Sequence, residues 1–400
     1  MGYTCRVFNS IADVDCAAWQ QVCAASGAPV FMDLRFAAAV EASMQPTCRF
    51  WYILVDDDDG RPIACAGLHT MTIDLTNFAD PRLATMIKRL PGMSKLRKLK
   101  ALFCSLPGTP GDRSIAIRPA VASAQVLVVV DAVVDRLVTQ VGADVVIYKE
   151  FDPAEAERMK PLLELGYRQI VIPPMHLLPP SFADFAEYCA ALRTRYRQQV
   201  NRSVRKLKNT GIEAKVLTDP DEILRLYTPD IHAMYCEMVA NSDIKLEVFP
   251  IEYFHQLTKR LAGRVELVAL IKDLQIIAFG WCLCDRSTYH MMYAGLNYSL
   301  NREFDLYFNL MYAGFDRALR QHPERIHVGQ TATVFKARMG CKSELRYVFA
   351  RGCGPLLRRF FYYGAKFIVL KMPPNPPADI FKRDGSVENK SKQSSGIPVA

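Results

Sequence analysis

Residues 289–341 read YHMMYAGLNYSLNREFDLYFNLMYAGFDRALRQHPERIHVGQTATVFKARMGC, and the changes of periodicity along them decide the fold. YHMMYAGLN at 289–297 reads as a strand, REFDLYFNLMYAGFDRALRQ at 302–321 as a long helix, and RIHVG at 325–329 as a second strand. TATVFKARMG at 331–340 follows as a short helix and ELRYVFA at 344–350 as a last strand. A strand, a crossover helix and another strand place two parallel neighbours in one sheet through a right-handed connection.

Working backwards, VELVALIK at 265–272 and QIIAFGWCLCD at 275–285 flank Asp273 and Leu274 as a hairpin. Before it stand IEAKVLTD as a strand, DPDEILRLYTPDIHAMYCEMVAN as one helix and IEYFHQLTKRLAG as another, ending at Gly263. The same order occupies the start of the chain. A strand from Tyr3 to Ser10 precedes helices at 12–25 and 33–43, the second capped by Asp33. Phe50–Val55 and Pro62–Leu75 flank the turn DDDDG, and a basic stretch from Lys88 to Lys100 leads into LFCSLPGTPGD, a strand running into a Pro/Gly loop. A helix over 121–141, the buried strand VVIYKEF, a short helix over 153–165 and the strand YRQIVIP complete this half. Both halves therefore read strand, two helices, hairpin and strand, long helix, strand, short helix, strand, a structural repeat with little residue identity.

Between the halves, residues 182–209 read as a single amphipathic helix, because Tyr188, Leu192, Tyr196, Val200 and Val204 recur every four residues. Arg193, Arg195, Arg197, Arg202, Arg205, Lys206 and Lys208 fall in one short interval without an acid. Such density fits contact with phosphates, and a solvated helix face is the alternative.

Four hundred residues exceed one ordinary core, and a composition half hydrophobic with 23% charged residues excludes a disordered chain. The expected division is an N-terminal domain over 1–180, the linking helix over 181–211, a second domain over 212–352, an apolar and basic strap or interfacial helix over 353–381, and a disordered tail over 382–400. The net charge of +9 favours anionic partners. Twelve cysteines, with no C-x2-C pair and an N-terminus unlike a signal peptide, point to reduced thiols in the cytoplasm and to no metal site. The most apolar internal run, 121–134, is too short for a bilayer span of about 20 residues.

The strand and helix order, with its mixed sheets, resembles the GNAT acyltransferase fold. Repeated around a basic helix, it is similar to the tandem-GNAT group of FemAB-like and Fem-type peptidoglycan aminoacyltransferases. FMDLRFAAAVE, RTRYRQQVNRSVRKLKNTGI and the 289–341 segment carry the resemblance, which covers residues 3–350. It implies an α/β fold of two tandem GNAT-like domains, in each of which the fourth strand and the helix after it separate as a wedge that admits coenzyme A. It also implies an N-acyltransferase moving an acyl group from an acyl-CoA or acyl-carrier-protein thioester to a small amine acceptor, with acyl-CoA a co-substrate and no permanently bound cofactor. Both halves lack the R/Q-x-x-G-x-G/A pyrophosphate loop of classical GNAT enzymes. That departure keeps two rivals open: an aminoacyl-tRNA donor, as in Fem-type enzymes, and a non-catalytic binding protein.

Acyl transfer to an amine needs stabilisation of a tetrahedral oxyanion and a proton for the leaving group, which no local motif announces. The expected site lies where strand 289–297 meets the next helix, whose unpaired N–H groups could hold an anion. Tyr293 is the proposed acid, with an aromatic packed on a half-buried strand as the alternative. Asn297, Asn301 and Arg302, with Arg202 and Arg205 of the linking helix, are the expected contacts to the co-substrate. Glu303 and Asp305 could polarise the amine or serve the helix dipole. Gln330 and Lys336 complete the catalytic set through the family-like segment. In the first half, Gly108 and Gly111 offer backbone amides, followed by Asp112 and Arg113. Tyr289 and His290 alternate along the strand and should face opposite ways. The run PLLRRFFYYGAKFIVLK at 355–371 has four cations and no acid, which fits peripheral membrane contact or packing on the second domain.

Overall fold

The structure is a computed structural model describing residues 2–74, 76, 85, 89, 97–110, 113–242, 247–285, 287–364 and 379–382. The first half opens with β1 (Thr4–Phe8), α1 (Cys16–Ser26), α2 (Leu34–Met44), β2 (Phe50–Asp56), β3 (Pro62–Ile73), β4 (Leu99–Cys104) and β5 (Ile115–Ile117). It continues through α3 (Ser123–Val141), β6 (Val145–Phe151), α4 (Pro153–Arg158) and β7 (Arg168–Leu178). Two helices, α5 (Phe185–Ala191) and α6 (Thr194–Lys208), link it to the second half. There follow β8 (Glu213–Leu217), α7 (Pro220–Leu226), α8 (Pro229–Ala240), α9 (Ile251–Arg260), β9 (Val265–Lys272), β10 (Gln275–Cys284) and β11 (Thr288–Leu296). The chain then forms α10 (Tyr298–Phe304), α11 (Leu306–Leu319), β12 (Arg325–His327), α12 (Thr333–Arg338), β13 (Lys342–Gly352) and α13 (Pro355–Gly364).

The repeated order is present, as are both hairpins. Helices expected to be continuous are broken at Leu192, Thr228 and Asp305. The linking helix stops at Leu192, whose extended backbone bridges Phe381, while Arg193 N donates to Ile380 O at 2.8 Å and Lys382 N to Ala191 O at 2.8 Å. The chain's own later segment has taken the hydrogen bonds that a continuous helix would use. The second break falls at Thr228, ahead of Pro229, where the proline ring disfavours a helical predecessor. The third falls at Asp305, which adopts a left-handed backbone (φ 51°) that aspartate tolerates; its carboxylate accepts from Ser203 Oγ at 2.9 Å and Lys206 Nζ at 3.0 Å on α6. The strand expected at 167–173 runs on to Leu178, its ladder shifting register beside Pro173 and Pro174, which have no N–H to offer. Gly111, Asp112, most of the basic stretch 88–100, the end of the C-terminal strap and the tail from 383 lie outside the described residues.

All strands join one mixed sheet in the order β1-β2-β3-β4-β6-β13-β7-β12-β11-β10-β9-β8, with β5 pairing β3 at its side. The centre of this order is an exchange. β13, the last strand of the second half, inserts between β6 and β7 of the first, and β7 in turn pairs with β12. A buried ion pair fixes the inserted strand: Arg351 of β13 meets Asp131 of α3 at 3.1 Å and Asp135 at 2.5 Å, while Tyr167 OH donates to Asp131 at 2.5 Å.

Apolar faces decide the layers. The buried side of α3 packs with Ile53, Val55 and Tyr148 on one face of the first half, and α11 with Tyr289 and Cys282 on the matching face of the second. On the other side a single core crosses both halves, joining Trp19, Phe36 and Tyr52 to Tyr227, Phe254 and Trp281. The two halves thus share a sheet and a core, which brings the end of β4 close to β11.

Candidate functional site between the two halves

The parallel strands β11 and β12 pair only from Thr288 to His290 against Arg325 to His327. Beyond that point β12 turns away, because Val328 N donates to His176 O at 2.8 Å and His176 N to Gly329 O at 3.1 Å, on β7. On the other side β11 stays with β10. The partner chosen by each strand therefore opens a gap. A bulge in β11 leaves Met292 without a partner opposite β10, so Met292 and Tyr293 lie against the same core while Met291 faces the other one. Tyr289 and His290 do face opposite ways: Tyr289 OH donates to Glu266 at 3.0 Å, and His290 packs edge-on to Phe31.

Lys336 stands in the gap. It projects from α12, is 4% exposed, and its Nζ lies 3.3 Å from where a Cβ on Gly329 would be, so glycine there leaves it room. Burial pushes its ammonium down from 10.5 to about 7, with the Cys341 thiol the one opposing influence. Beside it, His176 Nε2 lies 3.0 Å from Thr333 Oγ1 and Nδ1 lies 3.2 Å from Ser343 Oγ; burial and the nearby Lys336 charge push this imidazole down to about 4, leaving it neutral. Gln330 closes the far side, its Nε2 donating to Glu150 Oε2 at 2.9 Å and to Pro173 O at 3.1 Å. Burial pushes the Glu150 carboxyl upward, opposed by Lys149 and Arg346.

Tyr293 belongs to a different part of the junction. Its hydroxyl lies 3.1 Å from that of Tyr253 and 3.5 Å from Gly108 O, in a nest of Tyr235, Phe249, Phe254 and Trp281. Burial, reinforced by Tyr253 and Tyr235, pushes this phenol well above 10, so it is a hydrogen-bond donor at neutral pH. Gly108 makes the approach possible, since its backbone is left-handed (φ 72°) and a Cβ would run into the Tyr253 hydroxyl and lie 2.9 Å from that of Tyr293. The Gly108 amide donates to Glu247 Oε2 at 3.2 Å, and Glu247 Oε1 faces Lys149 Nζ at 3.6 Å.

The structure therefore brings Gln330 and Lys336 together, with Tyr293 at the neighbouring Gly108 turn. It does not bring the other expected residues there. Glu303 and Arg302 are exposed on α10, and Asp305 is engaged by α6. Asn297 caps α10, its side-chain oxygen accepting from Ser299 N at 3.0 Å, and Asn301, inside α10, accepts from Tyr307 N of α11 at 3.0 Å. Arg202 and Arg205 are exposed and, with Arg195, Gln198, Gln199, Lys206 and Asn209, line an open depression of about 800 Å³ along one side of α6. Arg193 turns elsewhere, to Asp379 at 2.5 Å, and Arg113 pairs with Glu155 at 3.0 Å. Lys149, Glu150, His176, Glu247 and Tyr253 were not singled out from the sequence. Two adjacent charges inside the apolar strand VVIYKEF were a usable signal for the first two; Glu247 and Tyr253 gave none, because only the fold brings them to Gly108.

Among the described residues no helix is long and apolar enough to cross a membrane. The described part of the C-terminal strap packs through Phe361 on Leu99, Ala101 and Ile170, with Leu356, Tyr362 and Tyr363 exposed.

A family model described as peptidoglycan biosynthesis/recognition, FemAB-like, matches residues 10–349. The chain belongs to the FemAB-like family. Among solved structures, this FemAB-like chain is similar to FemX, with a TM-score of 0.56 and 11% identity over 91% of this chain and 100% of that one. It is also similar to a tandem GNAT protein from the clavulanic acid biosynthesis pathway, with a TM-score of 0.50 and 11% identity over 88% of this chain and 99% of that one. At such identity these likenesses show the fold, the tandem GNAT architecture. A curated relative, the putative 8-amino-7-oxononanoate synthase 2 of Mycobacterium tuberculosis, is 23% identical over 78% of this chain; the match spans 40% of that protein's length.

Proposed function

We propose that this FemAB-like protein is an N-acyltransferase of the GNAT type, moving an acyl group from a thioester on coenzyme A or an acyl carrier protein to the amine of a small acceptor. One observation carries the reading: a buried amine that titrates near neutrality stands in the gap between β11 and β12. A group titrating near the working pH is populated in both protonation states, as general acid–base catalysis requires. Neutral Lys336 takes a proton from the attacking ammonium; the amine forms its bond to the thioester carbonyl, and the resulting Lys336 ammonium faces the tetrahedral oxyanion. Collapse breaks the carbon–sulfur bond; the thiolate leaves with the proton held by Lys336, and the nitrogen, on becoming an amide, releases its second proton to water. Gln330 positions the turn after β12 through Glu150 and Pro173. The test is release of free thiol from acetyl-coenzyme A with a panel of small amines. Lys336→Met, shown folded by circular dichroism, should lower turnover by about 100-fold or more; unchanged turnover would remove the reading.

A second donor, aminoacyl-tRNA, is favoured by the cationic side of α6, where Arg195, Arg202 and Arg205 stand with amide side chains around the open depression. Arg202→Gln and Arg205→Gln should then each lower the salt dependence of tRNA binding by about one phosphate contact. Thermal stabilisation by acetyl-coenzyme A without any by tRNA would decide for the thioester. Peripheral contact with an anionic membrane through Leu356, Arg358 and Arg359 of α13 fits either donor, and vesicle sedimentation tests it.

A further inference from the structure

At the junction of the halves the chain holds a carboxylate of its own in a place built from two donors. Glu247 comes from the connection between α8 and α9, next to Val248, which is 57% exposed. Its side chain reaches across to the first half, one oxygen on the Gly108 amide at 3.2 Å and the other facing Lys149 Nζ at 3.6 Å. Both side chains are 15% exposed, so the pair is screened yet open to solvent. The longer distance is an ion pair without a close hydrogen bond, and a group on a connecting segment can leave it.

We propose that the Gly108 amide and the Lys149 ammonium form a carboxylate-binding subsite, occupied in this structure by Glu247 and taken over by the carboxylate of an amino-acid-like acceptor. The acceptor part rests on the acyltransferase reading above. Two donors, one for each oxygen, match a carboxylate. A phosphate dianion would bring a second negative charge close to Glu150, the residue after Lys149. The Tyr253 and Tyr293 hydroxyls, 3.1 Å apart beside Gly108, supply acceptor oxygens for the other end of such a molecule. Glycine at 108 is part of the design, because a side chain there would meet those hydroxyls before the amide could reach an anion.

The experiment is chemical rescue of the full chain. Glu247→Ala empties the subsite and should lower the melting temperature; acetate should then restore it saturably, beyond chloride at equal ionic strength. Because Glu247 competes for the same two donors, acetate should bind Glu247→Ala more tightly than the wild type, by about tenfold where the effective concentration of Glu247 is about ten times the acetate dissociation constant. Adding Lys149→Met should abolish the rescue. Should Glu247→Ala fail to fold, Glu247→Ser, whose side chain is too short to reach Gly108 or Lys149, also empties the subsite and is held to the same expectation. Acetate acting no better than chloride, phosphate acting better than acetate, or rescue persisting without Lys149 would each overturn the proposal. The readout needs no turnover, so an inactive protein that shows rescue would sink the acyltransferase reading, and the acceptor part with it, and keep the carboxylate subsite.

Discussion

Exchanging Lys336 for methionine keeps the length of the side chain and removes its charge, and the structure fixes how stability should respond. The buried amine titrates at about 7 against 10.5 when solvated. At about 1.4 kcal/mol per pH unit this difference corresponds to about 5 kcal/mol. Below pH 7 the amine is protonated in both folded and unfolded chains, and the full cost of burying the charge weighs on the wild type. Between pH 7 and 10.5 the unfolded chain holds a proton that the folded chain has released, so wild-type stability rises with pH. Lys336→Met should therefore be the more stable protein at pH 6.5, by on the order of 3–5 kcal/mol, and the gap should close towards pH 10. Urea unfolding of the two proteins at pH 6.5, 8 and 9.5 reads this directly, since all other titrating groups are shared. A gap independent of pH, or a wild type more stable at pH 6.5, would refute the placement of this amine. A gain in stability with a loss of turnover is the trade expected of a functional group held where packing alone would not put it.

Tyr293→Phe removes one hydroxyl contact and should change stability by no more than about 1 kcal/mol while lowering turnover; turnover unchanged removes Tyr293 from the site. Gly108→Ala should destabilise by about 1–3 kcal/mol through its left-handed backbone and the crowding at Tyr253, and Tyr253→Phe in the same chain should recover part of that in a thermal melt. No recovery would mean that the crowding is relieved elsewhere. Asp131→Asn leaves Arg351 buried beside the more exposed Asp135 alone and should cost about 3–5 kcal/mol in urea unfolding. A loss below about 1 kcal/mol would show that the pair does not anchor β13.

The repeat of elements was legible because periodicity is local: the hairpin around DDDDG and the strand VVIYKEF follow from side chains alternating along a few residues. The breaks at Leu192 and Asp305 were not, since one depends on residues 379–382 and the other on α6. Lys336 and Gln330 could be named from a pattern, whereas Glu303 and Asp305 stood near them in sequence only. Charged residues close to a helix start fit a cleft and a surface equally well until the neighbouring elements are known.

The exchange of β13 was invisible for a deeper reason. The order of elements along the chain is the same whether a last strand returns to its own half or crosses to the other, so no local pattern could report it. Yet the exchange makes the gap. β12 leaves β11 because β7 of the first half offers it a partner, and β7 is available at that edge because β13 fills its other side. The space around Lys336 is thus a consequence of how the halves interlock, and the buried Arg351 pair with Asp131 anchors the inserted strand. The same interlocking carries Gly108 to β11 and Glu247 to Lys149. The candidate site thus draws on residues of both halves that are remote in sequence.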